Sequence, residues 1–478
     1  MWTARAILAC TLLVSGGFAV VWLGMRRWKE PRTGELIHDS GRLFSTDSTH
    51  GERRDSAPDR SIGADNLRET EGVDLPNTEI DDAALRDMAR LNGRDALDLS
   101  NSRVTDAGLK YLSDLSDLTD VDLSNTAVTD EGLEQLSGLA DLEFLVLSNT
   151  QITDAGLEHL SGLSNLVGIE LADTRIGDSG LEYLSGLTNL AEIDLSSTQV
   201  SDAGLQHLGG LFNLSWLTLS NTQVTGSGLV ELSALNSLVG IYLQSAAVND
   251  DGLQHIGSLR NLNWLDLSST QITDSGLQHV AGLNRVNYLF LSNTQVTDTG
   301  LQHLSGLTNL DELDLTNTQV GEPGLHHLSD LSNLTGLGLS GTRTTDAGLR
   351  HLNSLTRLLV LRLDSTQITG AGLEHLGSLT NLKALTLSGT QVGDAGLLHV
   401  GRIARLQALY LADTQVTDVG LQHVTRLEFL EGLDLSNTQV GDPGLQHLSS
   451  LTKLTSLDVS GTRVSDAELN KLRDLLPD

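Results

Sequence analysis

Cysteine, proline, aromatic residues and positive charge are all scarce in this chain. Of 478 residues one is cysteine, six are proline and 3% are aromatic. The single cysteine, Cys10, excludes a disulfide framework and a cysteine-ligated metal site. Lys and Arg number 30 against 62 Asp and Glu, a formal net charge of −32. The deficit is uneven: residues 1–69 carry 10 basic and 9 acidic side chains, which leaves 20 and 53 for residues 70–478, net −33. So acidic a region repels nucleic acid, whereas basic or neutral partners stay open. No H-E-x-x-H, phosphate-binding loop or nucleophile elbow occurs, and no chemically active residue is rare against its background. The expectation is a non-enzyme without metal or cofactor.

What the chain has instead is one 24-residue unit, clearest at 142–165 as LEFLVLSNTQITDAGLEHLSGLSN. It recurs in register from Leu118 to Pro477, and two blurred copies at 94–117 and 70–93 bring the total to 17 units. Within one unit Leu145 and Leu147 alternate, sharing one face of a short strand. Ile152 follows a turn, and Leu157, Leu160 and Leu163 form the inward stripe of a short helix. With Leu142 that makes seven inward apolar side chains, which 24 residues cannot enclose alone. Stacked neighbours can, so the units must lie side by side as a solenoid. Strands pack about 4.8 Å apart while a helix is roughly 10 Å wide, so the parallel strands line a concave face.

The polar columns have structural explanations. Threonine at the ninth position (Thr126, Thr150, Thr174 and onward, with Ser102 and Ala246 as exceptions) reads as a buried hydroxyl ladder satisfying loop backbone between units. Thr153-Asp154 precedes the helical leucines and suits a helix N-terminus. Gly156 allows close packing of neighbouring units. Eleven of the 14 histidines share one column, from His159 to His447, but Tyr111, Gln135 and Lys471 stand in it too, which a metal-ligand column would not tolerate.

In chain order, 6–25 is a 20-residue apolar run without charge, long enough to span a bilayer. Residues 1–29 therefore read as a membrane anchor, with a cleaved signal peptide ending near Ala19 as the competing reading. The single N-terminal apolar segment favours an exported array, although Arg26, Arg27, Lys29 and Arg32 argue for the opposite orientation. Residues 30–69 are polar and poor in large apolar side chains, a flexible tether. Residues 70–93 read as an N-terminal capping repeat, 94–453 as the array and 454–478 as a C-terminal capping repeat that seals the end.

The pattern LxxLxLSNTQVTDAGLxHLSGLTN resembles the leucine-rich repeats of the ribonuclease-inhibitor-like superfold. Its V/I-T-D-x-G-L segment is similar to the cysteine-containing subtype, with Thr where that subtype has Cys, as in bacterial membrane-associated repeat arrays. The resemblance covers 70–478 and implies an α/β horseshoe with parallel strands on the concave face, short helices on the convex face, and a protein-interaction role.

A binding face stands out where the array stops being uniform. Positions 3 and 5 of the unit flank the buried strand leucine and point to the concave side. Seven of the 11 aromatics of the repeat region lie there: Phe144, Trp216, Tyr242, Trp264, Tyr288, Phe290 and Tyr410. Five of them fall in the four consecutive units from Trp216 to Phe290. Exposed aromatics add nothing to the core but are favoured anchors of binding surfaces. Carboxylates Glu170, Glu192, Asp194, Asp266, Glu312 and Asp314 share the columns. The expected site is thus an aromatic centre with an acidic rim that takes a protein or peptide. A carbohydrate ligand, or a spacer whose aromatics merely cover neighbouring strands, are the alternatives. Unit 238–261, which breaks the threonine column at Ala246, lies inside the cluster.

Overall fold

The computed structural model describes residues 80–88, 95–113 and 115–475. The proposed anchor at 6–25 and the tether at 30–69 lie outside them. Among the described residues no helix is long and apolar enough to cross a membrane.

Among the described residues, sixteen three-residue strands, from Ala96–Asp98 (β1) to Ser456–Asp458 (β16), form one parallel sheet in which each strand pairs with the next in chain order. Register never slips: Leu145 faces Ile169, Leu289 faces Leu313, Leu433 faces Leu457. A constant 24-residue offset keeps every repeat position in a straight column across the sheet. Each strand but the last, β16, buries its central residue, and positions 3 and 5 turn the other way.

The helical side is thinner than an α-helix would make it. Asp154–Leu157 is a single α-turn, and Glu158–Leu160 continues as 3₁₀-helix. Leucines spaced by three suit that geometry, because side chains at i and i+3 eclipse. Leu142, Leu145, Leu147, Ile152, Leu157, Leu160 and Leu163 are all essentially solvent-free and join one continuous core with their neighbours. At the C-terminal end the seal is partial. The helix Asp466–Arg473 buries Leu472, while Leu457, Val459, Val464 and Leu469 are only partly covered.

Two polar columns act differently from the expectation. The buried threonines do not bridge units. Thr150 Oγ1 donates to the Leu147 carbonyl three residues back at 2.6 Å, and Thr174, Thr198 and Thr222 repeat this within their own units. Each closes the turn that follows its strand, where position 8 has a left-handed backbone (Asn149 at φ 55°, Gly341 at φ 67°).

The bond between units comes from the aspartate column instead. Asp130 Oδ1 accepts the Thr153 backbone N–H at 2.7 Å and Asp130 Oδ2 accepts the Thr153 hydroxyl at 2.6 Å. That hydroxyl in turn accepts from Ala155 N–H, capping the next turn. Thirteen joints carry such an aspartate. Gly226, Glu322 and Gly370 stand in its place at the remaining three. The carboxylate lies against the glycine of the following unit: a Cβ on Gly156 would overlap Asp130 Oδ1. Close packing of units at that glycine is therefore borne out, with a specific cause.

Candidate partner-binding face

The site is built on neighbouring strands: Trp216–Thr218 (β6), Gly240–Tyr242 (β7), Trp264–Asp266 (β8), Tyr288–Phe290 (β9), Glu312–Asp314 (β10), Gly336–Gly338 (β11) and Val360–Arg362 (β12). In register, position 3 reads Trp216, Gly240, Trp264, Tyr288, Glu312, Gly336. Position 5 reads Thr218, Tyr242, Asp266, Phe290, Asp314, Gly338, Arg362.

Glycine decides how the rings lie. Gly240 has no side chain, and the Trp216 indole fills the space its Cβ would take. Trp216 thereby reaches Trp264 two strands away, ring centres 6.4 Å apart and edge to face, and Tyr242 at 6.1 Å. Trp264 continues the contact to Tyr242 at 5.7 Å, Tyr288 at 4.8 Å and Phe290 at 4.9 Å. These separations are those of favourable aromatic pairs. All five predicted aromatics of the cluster thus form one contiguous patch with Trp264 at its centre.

The patch is less open than its composition suggests. Trp264 is 4% exposed and Phe290 5%, covered by neighbouring rings and not by a helix. The expectation of exposed anchors holds for the partly exposed Trp216, Tyr242 and Tyr288 and is corrected for these two. Phe144 is not part of the patch: it sits on Phe144–Val146 (β3), three strands from Trp216, with its ring over Gly168. Tyr410, on Ala408–Tyr410 (β14), lies five strands beyond Phe290 and packs against the Ala384 and Ala408 pair.

Three polar atoms in the patch are buried without a hydrogen-bond partner: Trp264 Nε1, the Tyr242 hydroxyl and Thr218 Oγ1. Burial of an unpaired donor is costly and uncommon. Burial, with the Asp266 charge adding to it, holds the Tyr242 phenol protonated well above its ordinary range.

The carboxylates feel the same desolvation. Asp266, 5% exposed, is pushed above the ordinary carboxylate range by burial, against the Ser268 hydrogen bonds and with Asp314 adding repulsion. Asp194, on Glu192–Asp194 (β5), is raised by burial against its bonds to Ser196, one of them at 2.6 Å. Glu312 is raised by burial in spite of Arg362, with Asp314 and Asp311 opposing its charge. Asp314 Oδ1 accepts the Thr316 N–H at 2.9 Å. The structure places Asp266 and Asp314 against the aromatic patch, and Asp194 one strand before it. The histidine column runs along the helical side, and among the described residues no group of three or more His, Cys, Asp or Glu could hold a metal ion.

Comparison with known proteins agrees with this geometry. The Leucine Rich repeat family model matches residues 115–137, 139–161, 258–281, 378–399 and 427–449. No curated protein matches the chain. Among solved structures it is similar to a Leptospira interrogans leucine-rich-repeat protein, 22% identical with TM-score 0.59 over 76% of this chain and 95% of that one. It is also similar to a TDR receptor, 20% identical with TM-score 0.53 over 81% of this chain and 68% of that one. A Listeria monocytogenes internalin is 22% identical with TM-score 0.49, over 78% of this chain and 89% of that one. Repeat matches along the array and the continuous parallel sheet agree: residues 96–458 form a leucine-rich-repeat solenoid.

Proposed function

We propose that the chain is a non-catalytic interaction scaffold that receives a protein or peptide partner on its strand face, tethered to a membrane through residues 6–25 with the array exported. Trp216, Tyr242, Trp264, Tyr288 and Phe290 form the anchor, and Asp194, Asp266 and Asp314 lie along it. The observation that carries this is the patch itself. Five aromatics stack outside the leucine core, and the core is complete without them. Their rings leave buried donors without acceptors, which a peptide carbonyl would satisfy once the rings part. One similar fold, the TDR receptor, is a receptor by name.

The test is the double variant Trp216→Ala/Trp264→Ala. Its fold should persist by circular dichroism, and binding of peptides selected from a displayed library on the parent protein should fall by at least about 100-fold, the scale of two hot-spot anchors. Unchanged binding would refute the assignment. Glycans retained in a glycan array while no peptide is selected would turn the reading to carbohydrate. Protease accessibility of the array on intact cells tests its export.

A further inference from the structure

The strand face has a bare strand two places beyond the aromatic patch, and its chemistry specifies the partner further. In β11 both outward positions are glycine, Gly336 and Gly338. Side chains from β10 lean over this floor: Glu312 Cγ lies 3.1 Å from where a Gly336 Cβ would be, and Asp314 Oδ1 occupies the Cβ position of Gly338. From the far side Arg362 Nη1 reaches across β11 to Glu312 Oε1 at 3.7 Å. A guanidinium group therefore already rests over the glycine floor, held by a long ion pair between strands two apart.

The local balance of charge is far from neutral. Among the described residues, the two outward columns hold eleven carboxylates and one cation, Arg362. Near the floor Glu312 is paired with that guanidinium, while Asp314 and Asp311 oppose its charge. Asp311 also accepts from the Tyr288 hydroxyl at 3.4 Å, and Asp266 lies further along the column of Asp314. Burial raises Glu312 and Asp266, so both carry charge at a penalty that a second cation would relieve. Tyr288 and Phe290 stand on the strand beside Glu312 and Asp314, and the partly exposed Tyr288 ring offers a face that attracts guanidinium and ammonium groups. The unpaired Trp264 indole N–H, in ring contact with both, is a donor for a main-chain carbonyl.

We propose that the partner segment is basic, and that one of its Arg or Lys side chains enters over Gly336 and Gly338 to pair with Glu312 and Asp314, taking the place that Arg362 now fills. This rests on the strand-face reading above and narrows it to a cationic peptide. Arg362 is then an internal competitor. Removing it should tighten binding, the reverse of what a directly contacting residue would do.

The probe is a displayed library of random 12-residue peptides, selected on the whole protein at physiological salt, with binding of selected peptides measured by fluorescence anisotropy. The expected peptides are rich in Arg and Lys. Their affinity should fall about tenfold or more in Glu312→Gln/Asp314→Asn and rise several-fold in Arg362→Gln. It should change less than twofold in Glu158→Gln/Glu182→Gln, which removes equal charge from the exposed helical side. Circular dichroism of each variant confirms its fold. Basic peptides that weaken equally in the helical-side control would show attraction to net charge alone and overturn the slot. Neutral or acidic peptides that are lost in Trp216→Ala/Trp264→Ala would overturn the basic partner and keep the aromatic face. Peptides indifferent to every variant, or none selected, would overturn both.

Discussion

Asp266 and Asp274 lie eight residues apart and make opposite contributions to stability. Burial raises Asp266 above the ordinary carboxylate range, so the folded chain holds its proton more tightly than the unfolded chain. The resulting penalty is absent below the unfolded value and grows as pH rises through the folded one. For Asp274 burial also pushes upward, but the hydroxyls of Thr297 and Thr299 and the N–H groups of Thr297 and Gly300 outweigh it and hold the group low. Its contribution is present above the ordinary value and lost as pH falls. Asp266→Asn should therefore raise stability at pH 7 by of order 1 kcal/mol, keeping an acceptor for the Ser268 N–H. Asp274→Asn should lower it by about 1–2 kcal/mol. Urea unfolding of both variants at pH 7 and pH 4 checks this: the two differences should shrink toward acid, from opposite sides. Both carboxylates are plain in the sequence, but their roles are not. Asp266 interrupts the aromatic columns, which marks it. Asp274 looks like a helix cap because its main partner is 23 residues away in the chain, where no local pattern reaches.

In the single repeat, apolar spacing was fully legible, since burial in a stacked array depends on period alone. Leu157, Leu160 and Leu163 even keep their three-residue period through the α-turn and the 3₁₀-helix Glu158–Leu160 that follows it. The turn after the strand was less legible. Asn, Asp, Ser and Gly dominate position 8 because its backbone is left-handed, a signal present in Asn149, Asp173, Ser197 and Gly341. The joints offer the sharpest test at this scale. Glu322 occupies the aspartate position, one methylene too long, and Thr345 opposite it makes no side-chain cap. Glu322 instead pairs with Arg350 at 2.8 Å, on an exposed surface where such a pair contributes little. Glu322→Asp should restore acceptance from the Thr345 N–H and hydroxyl and stabilise the protein by about 0.5–1 kcal/mol. A lower urea midpoint would show that the joint is held by other means.

Across the array each unit packs its core and backbone against its two neighbours, with only a few side chains such as Trp216 and Arg362 reaching one unit further. Stability is therefore close to a sum of unit and joint terms, and unfolding can begin at an end. The sequence displayed the array through its period, and it displayed the aromatic face because five rings break two columns within four units. It did not display that Trp264 and Phe290 would be covered, because Trp216 reaches Trp264 by leaning across Gly240 from two strands away and Phe290 lies against the Trp264 ring. Nor did it display the partial seal at the C-terminal end: Leu469, Leu472 and Leu475 have good helical spacing, yet only Leu472 is covered, and Leu475 is 67% exposed. That end should open first. In native-state hydrogen exchange, amides of 456–473 should exchange at least tenfold faster than those of β8, whose Leu265 is solvent-free with a neighbour on each side. Truncation after Lys453 then discriminates between a sum of units and a single cooperative block. If the terms are local, the fastest-exchanging region moves back to 430–453 and protection at β8 is unchanged. If the last helix secures the whole array, protection falls everywhere and the nearest-neighbour description fails.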